Sequence, residues 1–252
     1  MEFLVDECRV TVNVPDWAAL DAAVSGRLAA RRGFSLATLN LDHLVKLAGS
    51  RDFRTAYAAQ DFVTADGNPI VWMSRLAGKP VSLVPGSDAI LPICRIAARM
   101  EVPVALVGSS RPTLAAAKAH LEEAVPGLTV ALTHAPDYGF DPEGAAAEDV
   151  IAQIRDSGAR LCFLALSAPK QEMFAVRARD RLGEVGFVSI GAGLDFFSGE
   201  QRRAPKLVRR LALEWLWRMA MNPARLGPRY LRCAAILPGQ AAQALGQRFR
   251  AA

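Results

Sequence analysis

Leu161-Cys162-Phe163-Leu164-Ala165-Leu166 is an unbroken run of six apolar residues. A run of this kind reads as a strand buried on both faces, the state of a strand in a parallel sheet covered by helices. Behind it, after Pro169, the span Lys170–Arg181 carries a helical pattern. The same alternation of short β-branched runs and longer helical patterns extends outward in both directions, the mark of repeated βαβ units. Strands are expected near Arg9–Val14, Ser35–Leu39, Phe62–Thr64, Val104–Val107, Thr129–Thr133, Leu161–Leu166 and Phe187–Ile190. Helices are expected near Trp17–Arg31, Leu41–Ala48, Asp52–Ala59, Pro69–Ala77, Asp88–Met100, Thr113–Ala124, Glu143–Ser157, Lys170–Arg181 and Pro205–Met221. The expected fold is α/β, a Rossmann-like, mostly parallel sheet flanked by helices.

The 252 residues suffice for one large domain, or a core with an appendage. Just over half are apolar and about a fifth charged, an ordinary globular composition. Cys8, Cys94, Cys162 and Cys233 are widely spaced with no CxxC pair, so buried thiols in a reducing compartment are expected rather than disulfides or zinc. His43, His120 and His134 have no metal-ligand spacing to one another. The start of the chain is acidic where the head of a signal peptide is basic, and no uncharged run reaches the ~20 residues of a membrane span. A cytoplasmic protein is expected.

Charge divides the chain. Residues 1–200 hold 19 Lys/Arg against 24 Asp/Glu, a net of −5; residues 201–252 hold 11 against one, a net of +10. An acidic α/β core (1–200) followed by a basic helical C-terminal appendage (201–252) is the expected organisation, with an anion as the appendage's partner. In the helix expected over Pro205–Met221, Lys206, Arg210, Glu214 and Arg218 form one polar stripe at four-residue spacing, and nearly everything else is apolar. Trp215 and Trp217 lie two residues apart, on nearly opposite faces, so one packs on the core and the other needs a lipid interface or a partner subunit. A helix clamped between core and tail accounts for the pattern equally well.

In open parallel sheets, ligands bind where strands end and loops begin. Just past the expected strands stand Asn40, which follows Thr38, then Asp66-Gly67, Gly108-Ser109, Tyr138-Gly139, Pro169-Lys170-Gln171-Glu172, and Gly191 to Asp195. Any one of these is ordinary turn chemistry; six on one edge indicate a cleft. Asp66 ends an apolar strand just before Pro69 opens a helix, placing it as a general base toward a substrate hydroxyl or as a helix N-cap. Gly108-Ser109-Ser110-Arg111-Pro112 runs from a strand into a helix and offers backbone N–H groups to a phosphate, but is neither a P-loop nor GxGxxG. No Asp-x-Asp stands in a suitable loop, so no metal is expected, and a leaving diphosphate would rely on arginines, lysines or helix ends.

From Ser35 to Tyr230 the motifs in order are Thr38-x-Asn40, Ala65-Asp66-Gly67, Pro85-Gly86-Ser87-Asp88, Pro169-Lys170-Gln171-Glu172, Gly193-x-Asp195-Phe196, Arg203-Ala204-Pro205, Glu214-Trp215-x-x-Arg218, Pro223-x-Arg225 and Arg229-Tyr230. This ordered set resembles the WecG/TagA/CpsF bacterial glycosyltransferases, glycosyltransferase family 26. The resemblance implies an inverting hexosyltransferase that needs no metal or other cofactor. Its donor would be a UDP-sugar of the N-acetylmannosamine, N-acetylmannosaminuronic acid or glucuronic acid type. Its acceptor would be a polyprenyl-diphosphate-linked saccharide of cell-envelope glycan synthesis. By the same resemblance Asp66 matches the proposed base, Thr38, Asn40 and Gln171 match polar groups of the pocket, and Arg218, Arg225 and Arg229 match arginines that close over the diphosphate. The appendage would contribute to attachment at the inner face of the membrane.

Three positions depart from the family pattern. Leu83 stands where many relatives carry arginine, Leu166-Ser167-Ala168 replaces a Gly-x-Gly, and Pro228 stands at another frequent arginine. A competing reading is a binding module on a nucleotide fold whose arginine-rich arm grips nucleic acid or a protein. The arm's tryptophans and apolar faces fit lipid or protein better, and no nucleic-acid motif is present, so no nucleic-acid partner is expected. A third reading keeps the enzyme and gives the arm to homo-oligomer contacts.

Overall fold

The computed structural model describes residues 1–6, 8–199, 205, 208 and 213–250, the side chains of Arg218 and Arg225 excepted. Six strands form one sheet: β3 (Phe34–Leu39), β4 (Phe62–Ala65), β5 (Val104–Gly108), β6 (Val130–His134), β7 (Leu161–Ala165) and β8 (Gly186–Ser189), in the order β4-β3-β8-β7-β5-β6. Every neighbouring pair is parallel. The α/β architecture expected from the run at Leu161 is the one found. Within that run Leu161 and Phe163 face one layer of the core while Cys162 and Leu164 face the other, all fully buried.

Helices cover both faces. On one side α1 (Trp17–Ala29), α5 (Gly86–Arg99) and α6 (Arg111–Ala124) bury Leu20, Ile93 and Leu121 against Leu36, Leu106 and Val188. On the other, α7 (Ala145–Asp156) and α8 (Lys170–Arg181) bury Ile154 and Phe174 against Val107 and Phe187. Beyond β3, α2 (Leu41–Gly49), α3 (Arg51–Ala58) and α4 (Asn68–Leu76) close a third cluster around Leu39, Phe53 and Ile70. Helix starts follow local chemistry: the side chains of Asp16, Asn40, Ser50 and Ser110 each accept a backbone N–H three residues on.

One element was not expected. Strand β1 (Glu2–Val5) forms an antiparallel hairpin with β2 (Cys8–Thr11), and Phe3, Val5 and Val10 enter the third cluster. The strand expected to run to Val14 therefore stops at Thr11, although Val14 N–H still reaches the Val63 carbonyl at 3.2 Å. At the other end of the chain, α9 (Glu214–Met221) is followed by α10 (Pro223–Arg250), which keeps its helix through Pro228 and Pro238. Ala244 of α10 is fully buried with Phe3 in the third cluster, and Ile236, Leu237 and Ala241 pack against it. Of the helix expected over Pro205–Met221, Lys206 and Arg210 lie outside the described residues. Trp215 packs edge-on to Tyr230 of α10 at 5.7 Å, and both Trp215 and Trp217 remain exposed. All four cysteines are free thiols, and burial pushes Cys94 up to about 12. No described helix is long and apolar enough to cross a membrane.

Candidate active site

The six strands are parallel, so their C-terminal ends share one edge, and each delivers one of the loops singled out above. β3 presents Thr38 and Asn40, β4 Asp66, β5 Gly108 and Ser109, β6 Tyr138 and Gly139, β7 Lys170, Gln171 and Glu172, and β8 the 3-10 turn Gly191–Phe196 with Asp195. Arg203 lies outside the described residues, as do the side chains of Arg218 and Arg225.

Asp66 is held from several sides. Its N–H donates to the Leu39 carbonyl at 2.8 Å, continuing the β3–β4 ladder by one residue, and its Oδ2 accepts from Asn40 Nδ2 at 3.3 Å. Asn40 Oδ1 accepts from His43 N–H at 3.0 Å, so one side chain both caps α2 and holds Asp66. The N-cap of α4 is Gly67, at φ +108°, a conformation open to glycine and costly to other residues. The N-cap reading of Asp66 is therefore not the one found: the carboxylate lies one residue before the cap.

Beneath this pair lies a buried polar group that sequence reasoning missed. His43 Nδ1 and Tyr57 Oη approach the Thr38 carbonyl at 2.6 and 2.7 Å. A carbonyl only accepts, so both donate to it, and their mutual 3.2 Å separation follows from the shared acceptor. Burial, reinforced by Lys46, lowers His43 to about 4, leaving it neutral. Burial, together with the charges of Glu172 and Asp66, raises Tyr57 well above an ordinary phenol. The signal in the sequence was the position of His43, three residues past the cap Asn40. That spacing turns its backbone N–H to the cap and leaves its ring free to fold under β3.

Gln171 and Glu172 open α8 and are buried, at 3% and 0% exposure. Gln171 Oε1 accepts from Gly191 N–H at 2.9 Å, and Nε2 donates to Glu172 Oε1 at 2.8 Å. Lys170 instead lines a cleft of ≈ 390 Å³ with Ser109, Asp137, Tyr138, Gly139 and Ser167. Gly108 sits at φ +110°, and a Cβ there would come 2.4 Å from the Ala165 carbonyl, so β5 and β7 close together only around glycine. Of the backbone N–H groups that the Gly108–Pro112 loop was expected to offer a phosphate, that of Ser109 is given to the Ala165 carbonyl at 3.0 Å. Ser109 Oγ donates to Asp195 Oδ1 at 3.2 Å, tying the cleft to the turn after β8.

Arg229 reaches this edge from α10. Its Nε lies 3.0 Å from Asp42 Oδ1, while Lys46 Nζ holds Asp42 Oδ2 at 2.9 Å and donates to the Ala168 carbonyl at 3.2 Å. Burial alone would raise Asp42; Lys46 and Arg229 hold it below the usual carboxylate range. One carboxylate thus joins the first turn of α2, the C-terminal helix and the loop leading to Gln171. Leu83, at the position of a family arginine, packs instead against the hairpin cluster. Among the described residues no three His, Cys, Asp or Glu side chains converge in a way that could hold a metal ion.

The strand ends of this α/β sheet thus gather an anchored aspartate, a buried glutamine and a polar cleft. Residues 5–251, nearly the whole chain, match the model of the Glycosyl transferase WecG/TagA/CpsF family, and the protein belongs to that family of glycosyltransferases.

Proposed function

We propose that the protein is an inverting UDP-sugar hexosyltransferase acting on a polyprenyl-diphosphate-linked saccharide. The observation that carries this reading is Asp66, anchored by Asn40 at the end of β4 on the edge where the Ser109–Lys170 cleft opens. Asp66 takes the proton of an acceptor hydroxyl as that oxygen attacks the anomeric carbon. The bond to UDP breaks on the opposite face, and the configuration inverts. Charge on the leaving diphosphate is met by Lys170 at the cleft and by arginines of the appendage, Arg218, Arg225 and Arg229. Arg229 touches Asp42 through Nε, which leaves the amino end of its guanidinium for a phosphate. The donor is of the N-acetylmannosamine, N-acetylmannosaminuronic acid or glucuronic acid type, and the reaction needs no metal.

Exposed Trp215, Trp217, Met221, Leu231 and Phe249, set among the arginines of α9 and α10, support attachment to an anionic membrane face at the cytoplasmic side. The test is a panel of UDP-sugars incubated with the protein and a short-chain lipid-diphosphate saccharide, with UDP release and the anomeric configuration of the product as readouts. Transfer with inversion from one donor, abolished in Asp66→Asn, is the expected result. Release at the wild-type rate from Asp66→Asn would overturn the assignment of the base.

A further inference from the structure

Gly191 N–H can only donate, so the Gln171 atom 2.9 Å from it is the amide oxygen, and the amide nitrogen must face Glu172. The orientation of Gln171 is therefore fixed from both ends: by the turn after β8 on one side and by a carboxyl on the other. Glu172 is itself fully buried. Its Oε1 accepts from the neutral Gln171 amide, and its own backbone N–H is a second neutral donor to the carboxyl, while Oε2 has no hydrogen-bond partner among the described residues. Gln60 sits beside it, giving Nε2 to the Glu172 carbonyl at 3.1 Å, and Gln60 Oε1 is a second buried acceptor without a donor.

The charged and titratable groups facing Glu172 are Lys46 of α2 and Tyr57 of α3. Lys46 is engaged by Asp42 and the Ala168 carbonyl, and Tyr57 gives its hydroxyl proton to Thr38. An ionised carboxylate held only by neutral donors, with Lys46 engaged elsewhere, is costly in such a place. A proton on Oε2 removes the charge and leaves Oε1 free to accept.

We propose that Glu172 is a positioning residue that works in its protonated form, clamping the Gln171 amide and, through it, the Gly191–Phe196 turn. That this clamp serves sugar transfer rests on the function proposed above; the clamp itself does not. Burial, opposed by the Gln171 bond, by Glu172's own backbone N–H and by Lys46, raises Glu172 to about 7. A carboxyl shifted this way favours the closed state fully below its unfolded value near 4.5 and loses that preference as pH rises through about 7. Local opening at the start of α8 should become about tenfold easier between pH 6 and 8.5. Glutamine at position 172 retains the acceptor and replaces the acid O–H with an N–H, so it should abolish this pH dependence.

The experiment is amide exchange at Gly191 in the full-length 15N-labelled protein, corrected for intrinsic rates, in wild type, Glu172→Gln and Glu172→Leu. Wild type should lose about tenfold protection from pH 6 to 8.5, Glu172→Gln should stay within about threefold, and Glu172→Leu should be unprotected at both. A Glu172→Leu protein with Gly191 still protected would make Glu172 mere packing and overturn the proposal. So would a Glu172→Gln protein that follows the wild-type pH curve, an arm that holds even if the leucine variant does not fold. In turnover with a UDP-sugar, Glu172→Leu should lower kcat about tenfold or more with donor KM little changed, and Glu172→Gln should remove the alkaline fall of kcat. Exchange as expected with no UDP-sugar turned over would sink the transferase reading alone. Turnover without the exchange pattern would sink the clamp alone.

Discussion

Asn40 and Asp66 stand at the ends of neighbouring parallel strands, 3.3 Å apart between amide and carboxylate, and the same asparagine caps α2. The position of the proposed base is thus tied to the start of a helix. Asp66→Asn should cut turnover by about 10²–10⁴ while leaving the melting temperature near wild type. Asn40→Ala should cost about 1 kcal/mol through the lost cap and lower kcat as well. Asn40→Asp keeps the cap but sets a second carboxylate beside Asp66, which raises the pKa of the pair. Its acid limb of kcat/KM should move to higher pH; an unmoved profile would mean that Asp66 does not titrate in catalysis.

Arg229 and Asp42 form the charged contact between α10 and the first turn of α2, two residues past Asn40. Arg229 is 42% exposed in its side chain and Asp42 only 12%, so solvent screens the pair in part. A double-mutant cycle with Arg229→Ala and Asp42→Ala should give a coupling of about 0.5–1 kcal/mol in chemical denaturation. If Arg229 also meets the diphosphate, Arg229→Lys should keep most of this coupling yet raise donor KM, because a lysine cannot grip two anions with one planar fork. An unchanged KM would confine Arg229 to docking.

Asp61 anchors the opposite end of the sheet. It accepts from Arg27 at 2.9 Å, Arg179 at 2.7 Å and the Ser35 N–H at 3.0 Å. Burial alone would raise its pKa, but these donors lower it below the usual range. Stability from a depressed carboxylate is present above the unfolded value near 3.9 and disappears as pH falls through the folded one. Asp61→Asn should therefore destabilise at pH 7 by about 3 kcal/mol, leaving two arginines facing a neutral amide. The gap to wild type should begin to narrow below about pH 4 and keep narrowing as pH falls through the folded value. A gap of constant size across that whole range would mean the loss is packing rather than charge.

The fold was legible because the deciding features are local. An apolar run such as Leu161–Leu166 declares a strand covered on both faces whatever surrounds it, and Lys170–Arg181 was bounded to the residue. The edge carrying Thr38, Asn40, Asp66 and Gln171 followed from parallel topology, since strand ends then coincide. What escaped depended on distant partners. Phe3, Val5 and Val10 alternate as a hairpin must, but the acidic residues among them masked the pattern. The appendage was expected to be helical, but the bounds of α10 were not: it holds Pro228, Pro238 and three glycines, which weaken any helical pattern, and its packing against β1 and α4 offsets them. No spacing in the sequence links His43 to Tyr57; only their meeting at the Thr38 carbonyl makes them part of the site floor.

His43 and Glu172 are both buried, with opposed titrations. His43, lowered to about 4, leaves the folded state neutral while the unfolded chain takes up a proton near 6.5, so stability falls as pH drops from 6.5 toward 4. Glu172, raised to about 7, makes stability fall as pH climbs from 4.5 to 7. Each swing is about 3 kcal/mol, and the two oppose each other, so wild type should be nearly flat over that interval. His43→Asn retains a donor for the Thr38 carbonyl and should unmask the alkaline decline; Glu172→Gln should unmask the acid one. Thermal melts from pH 4.5 to 7.5 check both, and parallel curves for all three proteins would refute the pair.

The last prediction concerns how the C-terminal helix holds the first strand. Gln243 Nε2 donates to the Leu4 carbonyl at 3.1 Å and its Oε1 accepts from Leu4 N–H at 3.3 Å. Gln247 repeats the pattern on Glu2 at 2.6 and 3.4 Å. Four residues along a helix rise about 6 Å and two along a strand about 6.7 Å, so two glutamine amides can serve as a surrogate neighbouring strand for the free edge of β1. Gln243→Ala, on the exposed pair, should cost no more than about 0.5 kcal/mol, and Gln247→Ala about 1 kcal/mol. Gln247→Glu should cost more, because a carboxylate can still accept from Glu2 N–H but only repels the Glu2 carbonyl. Removing residues 223–250 should do far more, uncovering Phe3 and the cluster that Ala244 seals. Loss of liposome binding after that deletion would then reflect an opened core as well as a missing anchor. Arg248→Glu with Arg250→Glu, which spares Ala244 and both glutamines, is the cleaner probe: it should weaken binding to anionic vesicles several-fold and leave the melting temperature unchanged.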